Sequence, residues 1–330
     1  MNYQLSKSSI PVLWFDTFAI SQIAHELYQK KHNQPYDKKI VECFTRLVEL
    51  RIEKKIIIFE SDQFLEIAVR PELTKICGQV LTQLSGGLVV HSWEVKERQL
   101  ILALKAFAKH GKDETIKWND IYTDDPLKDR SILGILIRVN FATDIRLAQK
   151  RKTDALVFNN WQKIRKQYLG NTAKTNFSKQ YNLEKSGGER LARDVIQKMK
   201  DDDAKNKPYL LYYELIQKPG DYLKIIKPDI EDAESAIVDF YGSDYYKNLP
   251  INDISSVLFA EKLCGNEDLK LSDQADIDNI SAFLPYVNYM LIDKSMIDKV
   301  EKYKLHKKYD VQIIRLKQLE RIIKDIESRY

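Results

Sequence analysis

The chain has 330 residues, of which 44% are hydrophobic and 31% are charged, a balance that indicates a globular protein with a sizeable core. The net charge of +5 is too small by itself to establish a polyanionic partner. The three cysteines, Cys43, Cys77 and Cys264, lack the spacing of a disulfide framework or a zinc site, so we expect a reducing, cytoplasmic setting. There is no pattern of a secretory signal, and no apolar run approaches the roughly 18 residues that span a bilayer.

The first part of the chain alternates between strand and helix patterns. Apolar runs without polar interruption are typical of strands that are buried on both faces, and apolar residues at helical spacing follow them. The predicted elements are, in chain order, a strand at 11–15, helices at 18–29 and 37–53, a strand at 56–59, a helix capped by Ser61 or Asp62 that stops before Pro71, a turn at Gly86-Gly87 and a strand at 88–90.

The middle of the chain, 94–266, shows few convincing strand patterns and long helical ones, for example at 96–109 and 131–151. Residues 141–207 carry 16 Lys and Arg against 8 Asp and Glu, which is the local charge expected either of a nucleic-acid contact or of a solvated helical surface. Ser186-Gly187-Gly188 predicts a flexible break, and its glycine pair lacks the spacing of a phosphate-binding loop. We predict a mostly helical insertion.

The end of the chain returns to strand and helix alternation. The predicted elements are a helix at 278–284, a stop at Pro285-Tyr286, a strand at 289–292, a helix at 295–304, a strand at 311–316 and a helix at 318–328. Strands that alternate with helices at this spacing predict a parallel sheet. We therefore predict a discontinuous α/β core of 1–93 and 267–330, with a parallel sheet flanked by helices, and a helical insertion of 94–266.

Four carboxylates follow or precede these buried elements. They are Asp16, Glu66, Asp276 and Asp293. Ligands of open parallel sheets bind outside the carboxyl ends of the strands, so we expect the four side chains to converge there. Clustered carboxylates repel each other unless a cation lies between them, which predicts a Mg²⁺ or Mn²⁺ site. Taken one at a time, Asp16 and Asp276 could be helix caps and Glu66 a solvated residue; Glu60, Asp273 and Asp278 are second choices. None of the five histidines is spaced as a metal ligand.

This ordered set resembles the PIN domain, a metal-dependent nuclease fold. The matching segments are Trp14-Phe15-Asp16-Thr17, Phe64-Leu65-Glu66-Ile67 and the stretch from Asp276 through Leu284-Pro285-Tyr286 to Leu291-Ile292-Asp293-Lys294, within roughly 10–75 and 270–330. The last stretch is similar to bacterial PIN-like proteins with a Leu-Pro-Tyr turn before the fourth strand. In that group an acidic residue often follows the Pro-Tyr pair, where this chain has Asn288, so the resemblance leaves open whether activity is altered.

The resemblance implies metal-assisted hydrolysis of phosphodiester bonds in RNA or another single-stranded nucleic acid, with RNA favoured over DNA and a toxin or defence role by analogy. Asp16, Glu66, Asp276 and Asp293 would hold one or two ions. Thr17 could bond a carboxylate or cap a helix, and Lys294 could contact phosphate. Further basic candidates for the substrate backbone are Lys163, Arg165 and Lys166, with Arg190, Arg193, Lys307 and Lys308. Trp161 could stack on a base or belong to the core.

Three other interpretations compete with the nuclease. A haloacid-dehalogenase-like phosphatase needs a second Asp two residues after the first, and Phe18 stands there instead. A catalytically inactive PIN-like subunit that binds nucleic acid or assists assembly would fit Asn288 and the weak net charge. A purely structural helical scaffold would fit carboxylates that do not converge. PIN domains commonly dimerise, so the helical insertion could serve a homo-oligomer instead of a substrate.

Overall fold

The computed structural model describes residues 2–68, 71–121, 144–168, 173–201 and 207–330. The chain divides into two compact units. The helical unit comprises Met1–Leu5, Lys96–Ile116 and Asn160–Leu269, and the sheet unit comprises Ser6–Val95, Lys117–Asn159 and Lys270–Tyr330. The predicted division into a core of 1–93 and 267–330 and an insertion of 94–266 stays a prediction.

Short strands and many helices make up the chain. The strands are β1 (Asn2–Ser6), β2 (Val12–Phe15), β3 (Ile57–Ile58), β4 (Asp113–Lys117), β5 (Tyr289–Leu291) and β6 (Gln312–Ile314). The α-helices are α1 (Thr17–Lys31), α2 (Lys38–Ile52), α3 (Gln63–Ala68), α4 (Pro71–Ser85), α5 (Ser92–Ala108), α6 (Trp118–Ile121), α7 (Asp144–Tyr168), α8 (Ala173–Lys185), α9 (Gly187–Lys200), α10 (Tyr209–Tyr212), α11 (Lys218–Ile226), α12 (Ala233–Gly242), α13 (Asp244–Lys247), α14 (Pro250–Cys264), α15 (Asp273–Phe283), α16 (Lys294–Lys302), α17 (Leu305–Lys308) and α18 (Leu319–Glu327). A π-helix (Tyr213–Gln217) joins α10 to α11, and a 3₁₀ turn (Leu316–Gln318) precedes α18.

The sheet unit is built on a parallel four-stranded sheet in the order β3-β2-β5-β6. The side chains of β2 alternate between its two faces, as the pleat requires. Leu13 and Phe15 pack into a core shared with α1, α2, α4 and α18. Trp14 packs against Phe283 of α15, with ring centroids 5.5 Å apart. Both faces are therefore covered, which explains why β2 is apolar at every position. The predicted fold class, a parallel α/β sheet flanked by helices, is confirmed.

The strand predicted at 88–90 is present only as a single bridge. Gly86 and Gly87 form the predicted turn, with φ values of 63° and 86° that favour glycine. Val89 then pairs in parallel with Glu60, beyond the end of β3. After β2, the chain adds β3 and then this bridge on one side of β2. It later crosses to the other side of β2 and adds β5 and then β6. The direction of winding reverses between β2 and β5, which is a topological switch point.

The helical unit has an aromatic core and one strand pair that the sequence did not predict. Phe107 of α5 contacts Phe240 of α12 edge-on, with centroids 5.5 Å apart. The missed strand β4 pairs with β1. It reads Asp-Glu-Thr-Ile-Lys, with Ile116 fully buried between polar residues, so no apolar run marks it. Of the helix predicted at 131–151, residues 131–143 lie outside the described residues, and the described helix α7 starts at Asp144.

Two further observations concern the helices. The predicted break at Ser186-Gly187-Gly188 is confined to Ser186, because α8 ends at Lys185 and both glycines belong to the first turn of α9. Among the described residues, none of the helices combines the length and the apolar character that crossing a bilayer would require.

Candidate metal centre

Asp16 lies directly after β2, where the chain turns into α1. Its backbone N–H donates to the Leu291 carbonyl of β5, 2.8 Å away, so the strand pairing continues to Asp16 itself. Asp16 occupies the N-cap position of α1, but its side chain makes no capping hydrogen bond. The carboxylate is therefore not serving as the helix cap that the sequence also allowed, and it stands at the switch point between β2 and β5.

Glu66 reaches the same place from α3. The Thr17 hydroxyl donates a 2.6 Å hydrogen bond to Glu66 Oε2. Because Thr17 follows Asp16, this bond ties the Glu66 carboxylate to the end of β2. Of the two roles that the sequence allowed for Thr17, the structure has the one in which it bonds a carboxylate.

Asp276 completes a cluster of three. One carboxylate oxygen from each of Asp16, Glu66 and Asp276 lies within 4.8 Å of the other two, and all three residues are half-buried. The helix that carries Asp276 begins earlier than predicted: α15 starts at Asp273, with Ser272 at its N-cap position, so Asp276 lies inside the first turn and not ahead of the helix. Acidic residues in a first turn are stabilised by the helix dipole, which accounts for the longer helix.

Asp293 lies beside this cluster with a partner of its own. Its Oδ1 accepts a 2.8 Å hydrogen bond from the Met296 N–H and so caps α16. Its charge nevertheless acts on Asp16, and its backbone N–H interacts with the Asp16 carboxylate. Asp293 is not one of the three residues whose oxygens lie within 4.8 Å of one another. Its role as a metal ligand stays a prediction.

The electrostatics at Asp16 reflect its burial and the neighbouring carboxylates. Burial, followed by the charges of Glu66 and Asp293, raises the pKa of Asp16 from 3.8 to about 7, although the backbone N–H groups of Thr17 and Asp293 act in the opposite direction. A divalent cation would remove this repulsion. The donors are all carboxylate oxygens, which are the ligands that Mg²⁺ and Mn²⁺ prefer, so the residues fit such an ion.

The second-choice carboxylates do not belong to the close group. Asp273 is buried, and its Oδ2 accepts from the Lys270 N–H at 2.8 Å. Asp278 is exposed, and its Oδ2 accepts from the Gln274 amide at 2.7 Å. Glu60 is buried at the end of β3, nearer to its strand than Glu66 is, yet Glu66 joins Asp16 and Asp276.

The predicted substrate contacts are divided between the two units. Lys294 is exposed at the start of α16, directly after Asp293. Lys163, Arg165 and Lys166 belong to the helical unit, where Arg165 donates to the Glu267 carbonyl. Trp161 of the same helix is only 9% exposed and packs edge-on against Phe259, which favours the core role that the sequence also allowed.

Asn288 lies at the opposite end of β5 from Asp293. Its side-chain Oδ1 accepts from the Val12 N–H at 2.9 Å, and its own N–H donates to the Val12 carbonyl. Asp293 follows Asn288 by five positions, a distance of about 16 Å in extended chain. Asn288, directly before β5, therefore pairs with the first residue of β2 and is remote from the carboxylates.

A second polar group at the same sheet edge was missed by the sequence analysis. The His91 ring donates from Nδ1 to Asp62 Oδ1 at 2.9 Å, and the Ser92 hydroxyl donates to Asp62 Oδ2 at 2.6 Å. Burial raises the pKa of Asp62, but the hydrogen bonds from His91 and Ser92 together outweigh it, so the pKa of Asp62 is lowered. The hydrogen bond to Asp62 in turn raises the pKa of His91. The available signal was a histidine directly after the apolar run at 88–90.

The fold and the site together define a mixed α/β protein with a parallel sheet, flanked by helices, that gathers carboxylates at its carboxyl edge. A comparison with known proteins finds no matching family model, curated protein or solved structure.

Proposed function

We propose that this protein is a metal-dependent nuclease of the PIN-like type that hydrolyses phosphodiester bonds in RNA. The proposal depends on one observation above all, the approach of Asp16, Glu66 and Asp276 to within 4.8 Å at the switch point of a parallel sheet. These three side chains are distant in sequence and repel one another when they are ionised, and a divalent cation among them would relieve that repulsion.

Each residue has a part in the proposed site. Asp16, Glu66 and Asp276 would hold Mg²⁺ or Mn²⁺, with Asp293 next to Asp16 as a further ligand or a source of negative charge. Thr17 holds Glu66 in place through its 2.6 Å hydrogen bond. A bound divalent ion supplies Lewis-acid chemistry for attack of water on a phosphodiester. Lys294, exposed beside Asp293, is available to contact a phosphate oxygen of the substrate.

The position of Asn288 bears on the alternative of an inactive PIN-like subunit. The sequence suggested that alternative because an acidic residue is often found there in similar proteins. Asn288 instead pairs with Val12 at the amino end of the strands, about 16 Å of extended chain from Asp293. An amide at that position therefore supplies no reason to expect an inactive site.

Cleavage of labelled single-stranded RNA, single-stranded DNA and duplex DNA in Mn²⁺ and in Mg²⁺ tests the proposal. We expect the unmodified protein to cut RNA and to lose activity in EDTA. Asp16→Asn and Asp276→Asn should each lower the rate by at least about 100-fold, because each removes a ligand charge.

Asp278→Asn is the matched control for Asp276→Asn. Asp278 lies on the same helix two residues away, is exposed and is not one of the three clustered carboxylates, so its replacement should leave the rate unchanged. The proposal is wrong if the unmodified protein cuts no nucleic acid in Mn²⁺, or if Asp16→Asn cuts as fast as the unmodified protein.

A further inference from the structure

We infer that His91 and Trp93 form a nucleotide-binding subsite next to the carboxylates, in which the imidazole contacts a phosphate and the Trp93 indole stacks on a base of a single strand. This inference rests on the proposed nuclease function, because it names where that site holds its substrate. All the residues that carry it belong to the sheet unit.

The first step is the placement of His91. The Glu60 N–H donates to the Leu88 carbonyl at 3.0 Å, and the Val90 N–H donates to the Glu60 carbonyl at 2.8 Å, so 88–90 runs parallel to the end of β3. His91 follows that segment as Asp16 follows β2. Two strand spacings, about 10 Å, separate the two positions at one sheet edge, a span that a few nucleotides can cover.

The second step is the attachment of His91 to the carboxylate site. Asp62, which accepts from the His91 ring, lies between Ser61 and Gln63. The Trp14 indole N–H donates to the Ser61 hydroxyl at 3.3 Å, and the Gln63 amide donates to the Phe15 carbonyl. The loop that holds the imidazole is thus bonded to the last two residues before Asp16.

The third step is the chemistry of the imidazole. Nδ1 is engaged by Asp62, and within the described part of the chain Nε2 has no hydrogen-bond partner. The adjacent acidic groups, Asp62 foremost and then Glu94 and Glu60, favour the protonated ring, in which Nε2 is also a donor. A protonated imidazole that is fixed through Nδ1 presents its Nε2–H as a charged hydrogen-bond donor, which suits a phosphate oxygen.

The fourth step is the exposed indole. Trp93 is 58% exposed, although Trp is a residue that proteins usually bury to a large extent. Its ring lies nearly parallel to the His91 ring, with centroids 5.9 Å apart and an interplanar angle of 16°. An exposed aromatic face beside a phosphate-binding cation is the combination by which proteins hold single-stranded nucleic acid without reading its sequence.

Binding of a fluorescein-labelled single-stranded RNA of about 8 nucleotides, a length suited to such grooves, tests the inference. Anisotropy is measured on the full chain at pH 6 with Ca²⁺, alongside cleavage kinetics in Mn²⁺. We expect Trp93→Ala to weaken binding about 5- to 150-fold, the range of base–aromatic stacking, with KM raised and kcat retained, and Trp93→Phe to restore most of the affinity. His91→Ala should also weaken binding and reduce the slope of log K against log salt by about 0.7, the loss of one phosphate contact.

Tyr36→Ala and His25→Ala are the matched controls. Both remove ring side chains of the sheet unit, Tyr36 being 38% exposed and His25 exposed on α1, and both should bind RNA as the unmodified protein does. Thermal unfolding of every variant establishes that it is folded.

The outcomes separate the inference from the nuclease proposal. If the protein cuts RNA but Trp93→Ala and His91→Ala bind it as tightly as the controls do, the subsite is wrong and the nuclease proposal stands. If the protein binds RNA in a Trp93-dependent way but cuts nothing, the subsite stands and the nuclease proposal is wrong. If the unmodified protein neither binds nor cuts RNA, both are wrong.

Discussion

At the scale of single residues, the candidate site contains a carboxyl group, that of Asp16, whose surroundings disfavour the ionised form. Asp16 is a carboxylate among other carboxylates, and burial makes its ionisation still less favourable. Thr17 holds Glu66 against the same repulsion through one short hydrogen bond. The first feature costs free energy in the metal-free protein and the second offsets part of that cost, and both would favour the binding of a divalent cation.

The stability of the metal-free protein should depend on pH through Asp16. Its pKa is about 7 in the folded protein and 3.8 ordinarily, so between these values the folded state holds a proton that the unfolded state has released. The Asp16 contribution to the free energy of unfolding is therefore complete below about pH 4, falls as pH rises towards 7 and is constant above that. Urea denaturation in EDTA across this range measures the slope, and Asp16→Asn should flatten it; an equal slope in both proteins would contradict the raised pKa.

Replacement of Thr17 should weaken metal binding without unfolding the protein. Thr17→Val keeps the shape of the side chain and removes the hydrogen bond to Glu66 Oε2. We expect affinity for Mn²⁺ to fall about 10- to 100-fold, the usual effect of losing a group that orients a metal ligand. Calorimetric titration with Mn²⁺ measures this loss. Thr17→Ser keeps the hydroxyl and should bind nearly as the unmodified protein does, and equal affinity in Thr17→Val would count against the role of Thr17.

At the scale of elements, the candidate site residues lie at the ends of short parallel strands and in the first turns of helices. β2 and β5 are adjacent and parallel, so the residues that follow them, Asp16 and Asp293, lie on one edge. The helices α3 and α15 approach that edge and contribute Glu66 and Asp276 from their first turns. At the opposite edge, Asn288 joins the first residues of the same strands, so the two ends of β5 have separate roles.

The two roles of Asp293 can be separated by substitution. Asp293→Ala should lose about 1 kcal/mol of stability, because the cap on Met296 N–H is removed, and should lose activity as well. Asp293→Asn keeps an oxygen for the cap but loses the charge, so we expect nearly full stability with reduced cleavage. Urea denaturation and RNA cleavage report the two properties.

Asp232 provides the matched control for the cap. It accepts from the Ser235 N–H at 2.9 Å and caps α12 of the helical unit in the same way. Asp232→Ala should therefore cost about 1 kcal/mol and leave cleavage unchanged. Full activity in Asp293→Asn would show that the charge of Asp293 has no part in the site.

At the scale of the whole molecule, the chain consists of two compact units, and the close carboxylate group belongs entirely to the sheet unit. The sheet unit is assembled from three separate stretches of sequence. Its clustered carboxylates come from both the first 66 residues and the last 55 or so, and most of the helical unit lies between them in the chain. Formation of the proposed metal site therefore requires that both ends of the chain fold together.

Mn²⁺ should stabilise the folded protein because the unfolded chain has no such site. At a Mn²⁺ concentration 100 times the Kd, the stabilisation is about 2.7 kcal/mol, which for a chain of this length corresponds to a rise in Tm of roughly 4 °C. Differential scanning calorimetry measures the shift. Asp278→Asn should show the same shift as the unmodified protein and Asp16→Asn little or none; equal shifts in all three would place the bound Mn²⁺ elsewhere.

The sequence by itself determined the local elements and the presence of an acidic residue at the end of each critical strand. Helices predicted at 18–29 and 37–53 are present as Thr17–Lys31 and Lys38–Ile52, because an apolar stripe and a cap at Asp37 depend only on nearby residues. The same holds for β2 and β5, whose unbroken apolar runs reflect burial on both faces. A strand such as β4, stabilised by pairing with β1 and carrying charged side chains, has no such local mark.

Only the tertiary structure decided which polar side chains meet. Glu66 and not Glu60 joins Asp16 and Asp276, and Thr17 bonds that glutamate instead of capping a helix. Asp62 takes His91 as its partner across 29 positions of sequence. These choices depend on strand order, on the face to which each side chain of a pleated strand points, and on where a helix begins. Those quantities are set by long-range packing of the whole core, which no short window of sequence contains.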